Sequence, residues 1–217
     1  MNLAEVQELA NAVLLVWYPG EEGGNAVADI LFGKVSPSGK LPVSFPKSLD
    51  QLPPYEDYSM KGRTYRYMKA EPLYPFGFGL SYTSFVYSDL QVSKSRIKGN
   101  ETIQATVTLT NTGKVASDEV AQLYITHEQT GGAADPDILK EAPLYALKGF
   151  QRVSLAPGAS VKLNFVLTPD KLSLIDQQGK PQIPAGKVKI SIAGSLPGSR
   201  SEALGAAKAV ETEITIQ

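Results

Sequence analysis

Cysteine is absent from this chain of 217 residues, and histidine and tryptophan occur once each, as His127 and Trp17. Without cysteine there are no disulfide staples and no thiolate metal sites, and nothing follows about redox compartment. A single imidazole argues against His-rich metal sites and against a Ser-His-Asp triad of ordinary form. No bound cofactor or metal is expected. A surplus of charge is also missing: 21 Lys and Arg stand against 22 Asp and Glu, for a net charge of -1. Nucleic acid is therefore not an expected partner, because binding it takes a basic stripe that displaces counterions from phosphates. No apolar run approaches the roughly 20 residues of a membrane span. The N-terminal stretch MNLAEVQELANAVLLVWYPG has acids before its apolar run, no basic n-region and no small-residue cleavage site, so it does not read as a secretory signal. What remains is carboxylate chemistry or binding.

The chain is 42% hydrophobic, enough for one or two ordinary globular domains. Its pattern changes near residue 85. Leu3, Val6, Leu9 and Ala10 fall at helical spacing and predict a short amphipathic helix over 3–11. The unbroken apolar run AVLLVW at 12–17 predicts a strand covered on both faces, as in a parallel sheet. Pro19 and Gly20 turn the chain, and Gly24 or Asn25 is expected to cap a second helix over AVADILF, with Gly33 at its C-terminal stop. LPVSF at 41–45 predicts a short edge strand, since Pro42 cannot donate to a ladder. Residues 1–50 supply too few elements to close a core of their own. Two readings follow: the tail of a larger α/β domain, or a small α+β appendage on the second domain.

Residues 51–85 hold half of the chain's aromatic residues, interleaved with Pro and Gly and without a clear period. That density predicts an ordered connector packed against a neighbour, since disordered linkers are poor in aromatics. From residue 86 to 217 short alternating runs (TIQATVTLTNT, EVAQLYITH, SVKLNFVLT, KVKISIAG) are separated by turn signals such as AsnThrGly and AlaProGly. About seven or eight strands result, the signature of an immunoglobulin- or fibronectin III-like β-sandwich. The expected fold class is α+β: an incomplete α/β sandwich segment followed by an all-β sandwich.

The stretch WYPGEEGGNAVADILFGKVSPSGKLPVSFP resembles the last strand-helix unit of the α/β sandwich domain of family 3 glycoside hydrolases. GRTYRYMKAEPLYPFGFGLSYTSF resembles the segment that follows it in that family, in the bacterial β-glucosidase and β-xylosidase variety. NTGKVASDEVAQLYI and LYALKGFQRVSLAPGASVKLNFVLTPDKLSLID resemble the fibronectin III-like domain that ends many members. The resemblance runs in order along nearly the whole chain. It implies retaining hydrolysis of β-linked glucosides or xylosides, with an Asp nucleophile on an N-terminal (β/α)8 barrel and a Glu acid/base commonly from the α/β sandwich domain. Both belong to motifs that precede WYPGEEGG, and nothing here matches them. No catalytic residue carries over, and the chain alone is expected to be inactive. The resemblance makes a periplasmic or secreted setting an expectation.

Several residues invite functional readings beside structural ones. Glu21 and Glu22 follow the expected strand, where open α/β sheets place their sites, and could form an active-site rim. Equally, acids ahead of a helix are favoured by its dipole. Adjacent residues on a turn diverge, so they do not form the facing carboxylate pair of a retaining enzyme, roughly 5 Å apart. The PGEEGGN loop matches neither G-x-G-x-x-G nor G-x-x-x-x-G-K-[ST] and reads as a tight turn, not a phosphate cradle. Arg63, Tyr65 and Arg66, with Tyr67, Tyr74, Phe76 and Phe78, could form a sugar platform, or a domain seam with Arg stacked on Tyr or paired with Glu56, Asp57 or Glu71. His127, beside the polar loop EQTGGAADPD, reads as a solvated or capping residue. Asn100-Glu101-Thr102 matches a glycosylation sequon, a pattern that also arises by chance.

The leading expectation is the non-catalytic C-terminal portion of a retaining β-glycosidase, supporting and positioning upstream catalytic domains. Its partners would be those domains and, in the intact enzyme, a β-linked oligosaccharide or glycoside, with a homo-oligomer possible. The alternative is an independent carbohydrate-binding or adhesion module.

Overall fold

Alternation in the second half of the chain becomes a two-layer sandwich. The computed structural model describes residues 3–128 and 136–217. One layer orders β1 (Phe85–Val92), β3 (Ile103–Asn111) and β6 (Ser160–Leu167) as β1-β3-β6. The other orders β2 (Arg96–Ile97), β4 (Ser117–His127), β5 (Ala146–Leu155), β9 (Gly186–Ala193) and β10 (Val210–Ile216) as β2-β10-β9-β4-β5. A short pair, β7 (Leu174–Ile175) with β8 (Pro181–Gln182), flanks the sandwich. All pairings are antiparallel except β2 with β10. Two 3-10 turns, Leu49–Gln51 and Pro169–Leu172, complete the regular structure with the helices named below.

The core forms because alternate residues share a face. Ala105, Val107 and Leu109 of β3 and Leu163, Phe165 and Leu167 of β6 meet Ala121, Leu123 and Ile125 of β4 and Val188, Ile190 and Ile192 of β9. Most of these are fully buried, each worth about 1.5–3 kcal/mol for a large side chain taken out of water. On β4 the alternation stops midway. Gln122 and Tyr124, on the opposite face from Leu123, are as buried as the core residues. Something covers the sandwich from outside at this point, and it is the connector.

Before Phe85 regular structure is sparse. Helix α1 spans Ala4–Leu9, within the range that periodicity predicts, and α2 spans Gly23–Leu31, overlapping the expected AVADILF but starting ahead of it. The residue ahead of α2 is Glu22 rather than Gly24 or Asn25, because the turn at Pro19-Gly20 runs straight into the helix; Gly23 N–H bonds the Gly20 carbonyl at 3.0 Å. Gly33 takes φ 73° just after α2, a conformation that costs a residue without a Cβ little. The strand expected at 12–17 does not form. A strand buried on both faces needs partners on either side, and among the described residues none pairs with it, so Val13, Leu14, Val16 and Trp17 stay 39–54% exposed. The edge strand expected at 41–45 shrinks to one bridge, Phe45 with Tyr74, which already belongs to the connector. The connector contributes α3 (Thr64–Tyr67); α4 (Pro136–Lys140) and α5 (Ser199–Ala203) lie within the sandwich sequence. The loop EQTGGAADPD falls for the most part outside the described residues.

Candidate functional site

The most elaborate constellation among the described residues is the seam where residues 38–82 meet the sandwich. Its centre is aromatic. Tyr65, placed by α3, stacks on Phe76 at 4.1 Å between ring centroids and 16° between planes. Both rings meet the edge of Tyr124, at 6.2 Å and 6.5 Å, and Tyr145 completes the group at 6.4 Å from Tyr124. These offset and edge-on arrangements are those that the ring quadrupole favours. Tyr65 also accepts a hydrogen bond at its Oη from the Leu147 backbone N–H, at 3.2 Å. The Tyr124 hydroxyl donates to Gln122 Oε1 at 2.5 Å, and burial pushes its pKa above the ordinary phenol value.

Around this centre, donors of the sandwich grip the connector by its carbonyls. Gln122 Nε2 donates to the Gly77 carbonyl of the connector at 3.1 Å and to the Gly194 carbonyl of the sandwich itself at 3.0 Å. Leu196 N–H donates to the Phe76 carbonyl at 3.1 Å, and the Arg200 guanidinium donates twice to the Leu73 carbonyl, at 3.1 Å and 2.8 Å. The glycines of PFGFG make this approach possible. A Cβ at Gly77, whose φ is 73°, would sit 2.1 Å from Gln122 Oε1, and one at Gly79 would sit 2.1 Å from the Gly39 carbonyl oxygen.

At the edge of the seam Lys40 enters the end of the sandwich core. Its ammonium lies 3.1 Å from Glu119 Oε1 and donates to the Gly79 carbonyl at 2.8 Å. Tyr87 of β1 donates its hydroxyl to the same carboxylate at 3.2 Å. The lysine and glutamate side chains are only 13% and 6% exposed, so this is a buried ion pair. Burial raises the Glu119 pKa, and Lys40 and the Tyr87 hydroxyl pull against it. Burial also raises the Tyr87 phenol, with the Glu119 charge adding to the effect.

The residues singled out in the sequence fall in several places. Glu21 and Glu22 are exposed at the turn into α2, and Glu22 Oε2 accepts a hydrogen bond from Asn25 Nδ2 at 2.5 Å. Arg63 folds back on its own loop, donating to the carbonyls of Ser59 at 3.1 Å, Pro54 at 3.0 Å and Asp57. Arg66 lies over the Tyr67 ring at 5.8 Å, and Glu71 is paired with Lys47, not with an arginine. Tyr65 alone of the three joins the aromatic centre. His127, expected to be a solvated or capping residue, is buried because it closes the inward face of β4, and burial with the nearby Lys148 charge lowers its pKa to about 4. Sequence reasoning missed Lys40, Glu119, Gln122, Tyr124 and Arg200. For Gln122 and Tyr124 the signal was weak but present, an outward face of EVAQLYITH lacking charge at its middle. Lys40 and Glu119 are remote in sequence and carried no signal. Among the described residues no group of acids, His or Cys is arranged to hold a metal, and no helix is long and apolar enough to cross a membrane.

Comparisons with known proteins bear on the whole of this arrangement. Residues 1–82 match the glycosyl hydrolase family 3 C-terminal domain, and residues 119–196 match the fibronectin type III-like domain. The chain is 44% identical over 171 residues to a xylan 1,4-beta-xylosidase of Xylanibacter ruminicola, covering 79% of this chain and 18% of that protein. It is 37% identical over 204 residues to a periplasmic beta-glucosidase of Salmonella typhimurium, covering 88% of this chain and 26% of that one. Its structure is similar to that of the Bifidobacterium adolescentis GH3 beta-glucosidase, with a TM-score of 0.79, 28% identity, and coverage of 99% of this chain against 31% of that one. The chain thus spans between about a fifth and a third of the length of these relatives. The tail and the sandwich that grips it are the two halves of one known pattern: the chain belongs to glycosyl hydrolase family 3, as its C-terminal domain followed by a fibronectin type III-like domain.

Proposed function

We propose that this chain acts as the clamp of a retaining β-glycosidase that removes glucose or xylose from β-linked substrates. It holds the end of the α/β domain in place so that upstream catalytic domains keep their geometry. The observation that carries this reading is the contrast between the fastened and the exposed residues of the tail. Toward the sandwich it is fastened by buried rings, carbonyl hydrogen bonds and an ion pair. Elsewhere the tail leaves Leu31 exposed at 67%, Phe32 at 89%, Trp17 at 54% and Tyr18 at 100%. Large apolar side chains left this exposed fit a surface made for a partner, and the apolar run at 12–17 has the composition of a strand awaiting neighbours. In this reading 1–50 is the end of the α/β domain, 51–85 the connector and 86–217 the sandwich. Glu21 and Glu22 lie toward the rim of the active site, and Arg63, Tyr65 and Arg66 serve the connector.

The test compares the isolated chain with the longer polypeptide encoded in frame with it. The isolated chain should leave aryl β-glucosides and β-xylosides intact and bind an apolar dye such as ANS. The longer protein should hydrolyse one of them and bind less dye per molecule. Hydrolysis by the isolated chain, or a longer protein without glycosidase activity, would overturn the proposal.

A further inference from the structure

Residues 53–63 form a closed loop whose two tyrosines stand in solvent. Arg63 braces the loop from within: its Nε donates to the Ser59 carbonyl at 3.1 Å, and its Nη2 donates to the carbonyls of Pro54 at 3.0 Å and of Asp57. Turns complete the closure. Asp57 N–H bonds the Pro54 carbonyl at 3.1 Å, Arg63 N–H bonds the Met60 carbonyl at 3.1 Å, and Ser59 N–H bonds Asp57 Oδ1 at 2.8 Å. Compact surface loops with their ends drawn together are frequently functional. The root of this one is fixed as well. Gly62 takes φ 72°, and Thr64 takes φ 55°, a strained conformation for a β-branched residue. Tyr65 follows directly and stacks on Phe76 in the aromatic centre of the seam.

With its carbonyls engaged inside, the loop meets its surroundings through side chains. Tyr55 and Tyr58 are 85% and 88% exposed. Neither of their hydroxyls, nor the exposed Glu56 carboxylate between them, bonds to a described residue. This differs in kind from the exposed Leu31 and Phe32, whose side chains carry no polar atom and suit a protein face. Phenol rings beside a carboxylate acceptor match a pyranose, which offers an apolar C–H face to a ring and hydroxyl donors to an oxygen. Three residues span at most about 10 Å, so one short oligosaccharide reaches both rings. Tyrosine supplies wide contact at little entropy cost, and a braced loop has little left to order on binding. Glu56 and Asp57 together repel acidic glycans and leave neutral ones. We propose that Tyr55 and Tyr58, with Glu56 between them, bind a neutral β-linked oligosaccharide. The patch depends on the β-glycosidase reading above for the linkage of its sugar, yet its binding is measured without hydrolysis, so the two can fail separately.

The experiment titrates the 15N-labelled 217-residue chain with xylohexaose, cellohexaose and the α-linked maltohexaose, following amide shifts by NMR. Saturable shifts centred on 53–63 are expected with a β-linked hexaose, and weaker binding of maltohexaose. Tyr55→Ala and Tyr58→Ala, at positions that no core contact uses, should each weaken binding by about fivefold or more, and Tyr55→Phe and Tyr58→Phe by less. Arg63→Lys keeps the charge but loses the fork, and should weaken binding with both tyrosines in place and the circular dichroism of the strands unchanged. In the longer protein, tetranitromethane should nitrate both tyrosines, and the bound hexaose should protect them. Shifts that do not saturate or that lie elsewhere, equal binding of maltohexaose, or binding that survives both alanine variants would overturn the proposal. Tyrosines shielded from nitration before any sugar is added would show a neighbouring domain covering the loop, and would overturn it too.

Discussion

Replacing Lys40 by Met tests how the tail is fastened, and the expected cost can be worked from the site. The substitution keeps most of the aliphatic stem and removes the ammonium that lies 3.1 Å from Glu119. Glu119, with a side chain 6% exposed, would keep only the Tyr87 hydroxyl as a partner. Breaking a buried pair by removing one partner costs about 3–5 kcal/mol. The carboxylate has an escape, because it can take a proton, at about 1.4 kcal/mol for each unit by which the ambient pH exceeds its pKa. Burial already raises that pKa, and Lys40 is the leading influence that lowers it, so its removal lets the rise proceed. We therefore expect Lys40→Met to destabilise by about 3 kcal/mol near neutral pH and by clearly less near pH 5. The double variant Lys40→Met with Glu119→Gln, which leaves no buried charge, should recover most of the loss. Urea unfolding provides the assay, with two probes: fluorescence of Trp17, the one tryptophan, for the tail, and far-UV circular dichroism for the strands. The Trp17 transition should move to lower urea ahead of the strand transition. If Lys40→Met costs under about 1 kcal/mol at every pH, or the double variant is as unstable as the single, the pair does not fasten the seam.

Three further outcomes are expected. Gly79→Ala places a methyl 2.1 Å from the Gly39 carbonyl oxygen, so backbone must move; a loss of about 1–3 kcal/mol is expected by urea unfolding. His127 has a folded pKa near 4, below the unfolded value of 6.5, so the unfolded chain binds the extra proton between these limits. Its contribution is fully present above about pH 6.5 and is lost as pH falls toward 4, to a total of about 3 kcal/mol, and His127→Leu should flatten that part of the stability profile. Phe32→Ser and Leu31→Ser, at positions 89% and 67% exposed, should lower ANS binding by the isolated chain while leaving its urea midpoint nearly unchanged.

How much of this could be read in advance depended on where each residue finds its partners. TIQATVTLTNT announced β3 because one face of that strand is core and the other is not, so the pattern of two is explicit. The glycine after α2 was legible for a similar reason, since a helix stop is a local event. AVLLVW misled because an unbroken apolar run describes a strand buried between neighbours, and among the described residues none pairs with it. Arg63 and Arg66 looked alike in GRTYRY, yet one closes its own loop and the Nε of the other finds no acceptor among the described residues. Composition could not separate them, because the difference lies in which carbonyls the folded loop turns inward. The pair of Lys40 with Glu119 joins residues 79 apart in sequence. Nothing short of the tertiary fold brings them together.

Most of the sandwich's grip on the connector falls on peptide oxygens, those of Leu73, Phe76 and Gly77, which every amino acid possesses. An attachment made this way tolerates drift in the side chains it holds, provided the glycines persist. The two parts could then diverge at different rates, and a sandwich carrying the donors Gln122, Leu196 and Arg200 could be exchanged between distant relatives and still seat. Recombination at Phe85 would thus be a natural way to alter what surrounds an active site without rebuilding the joint.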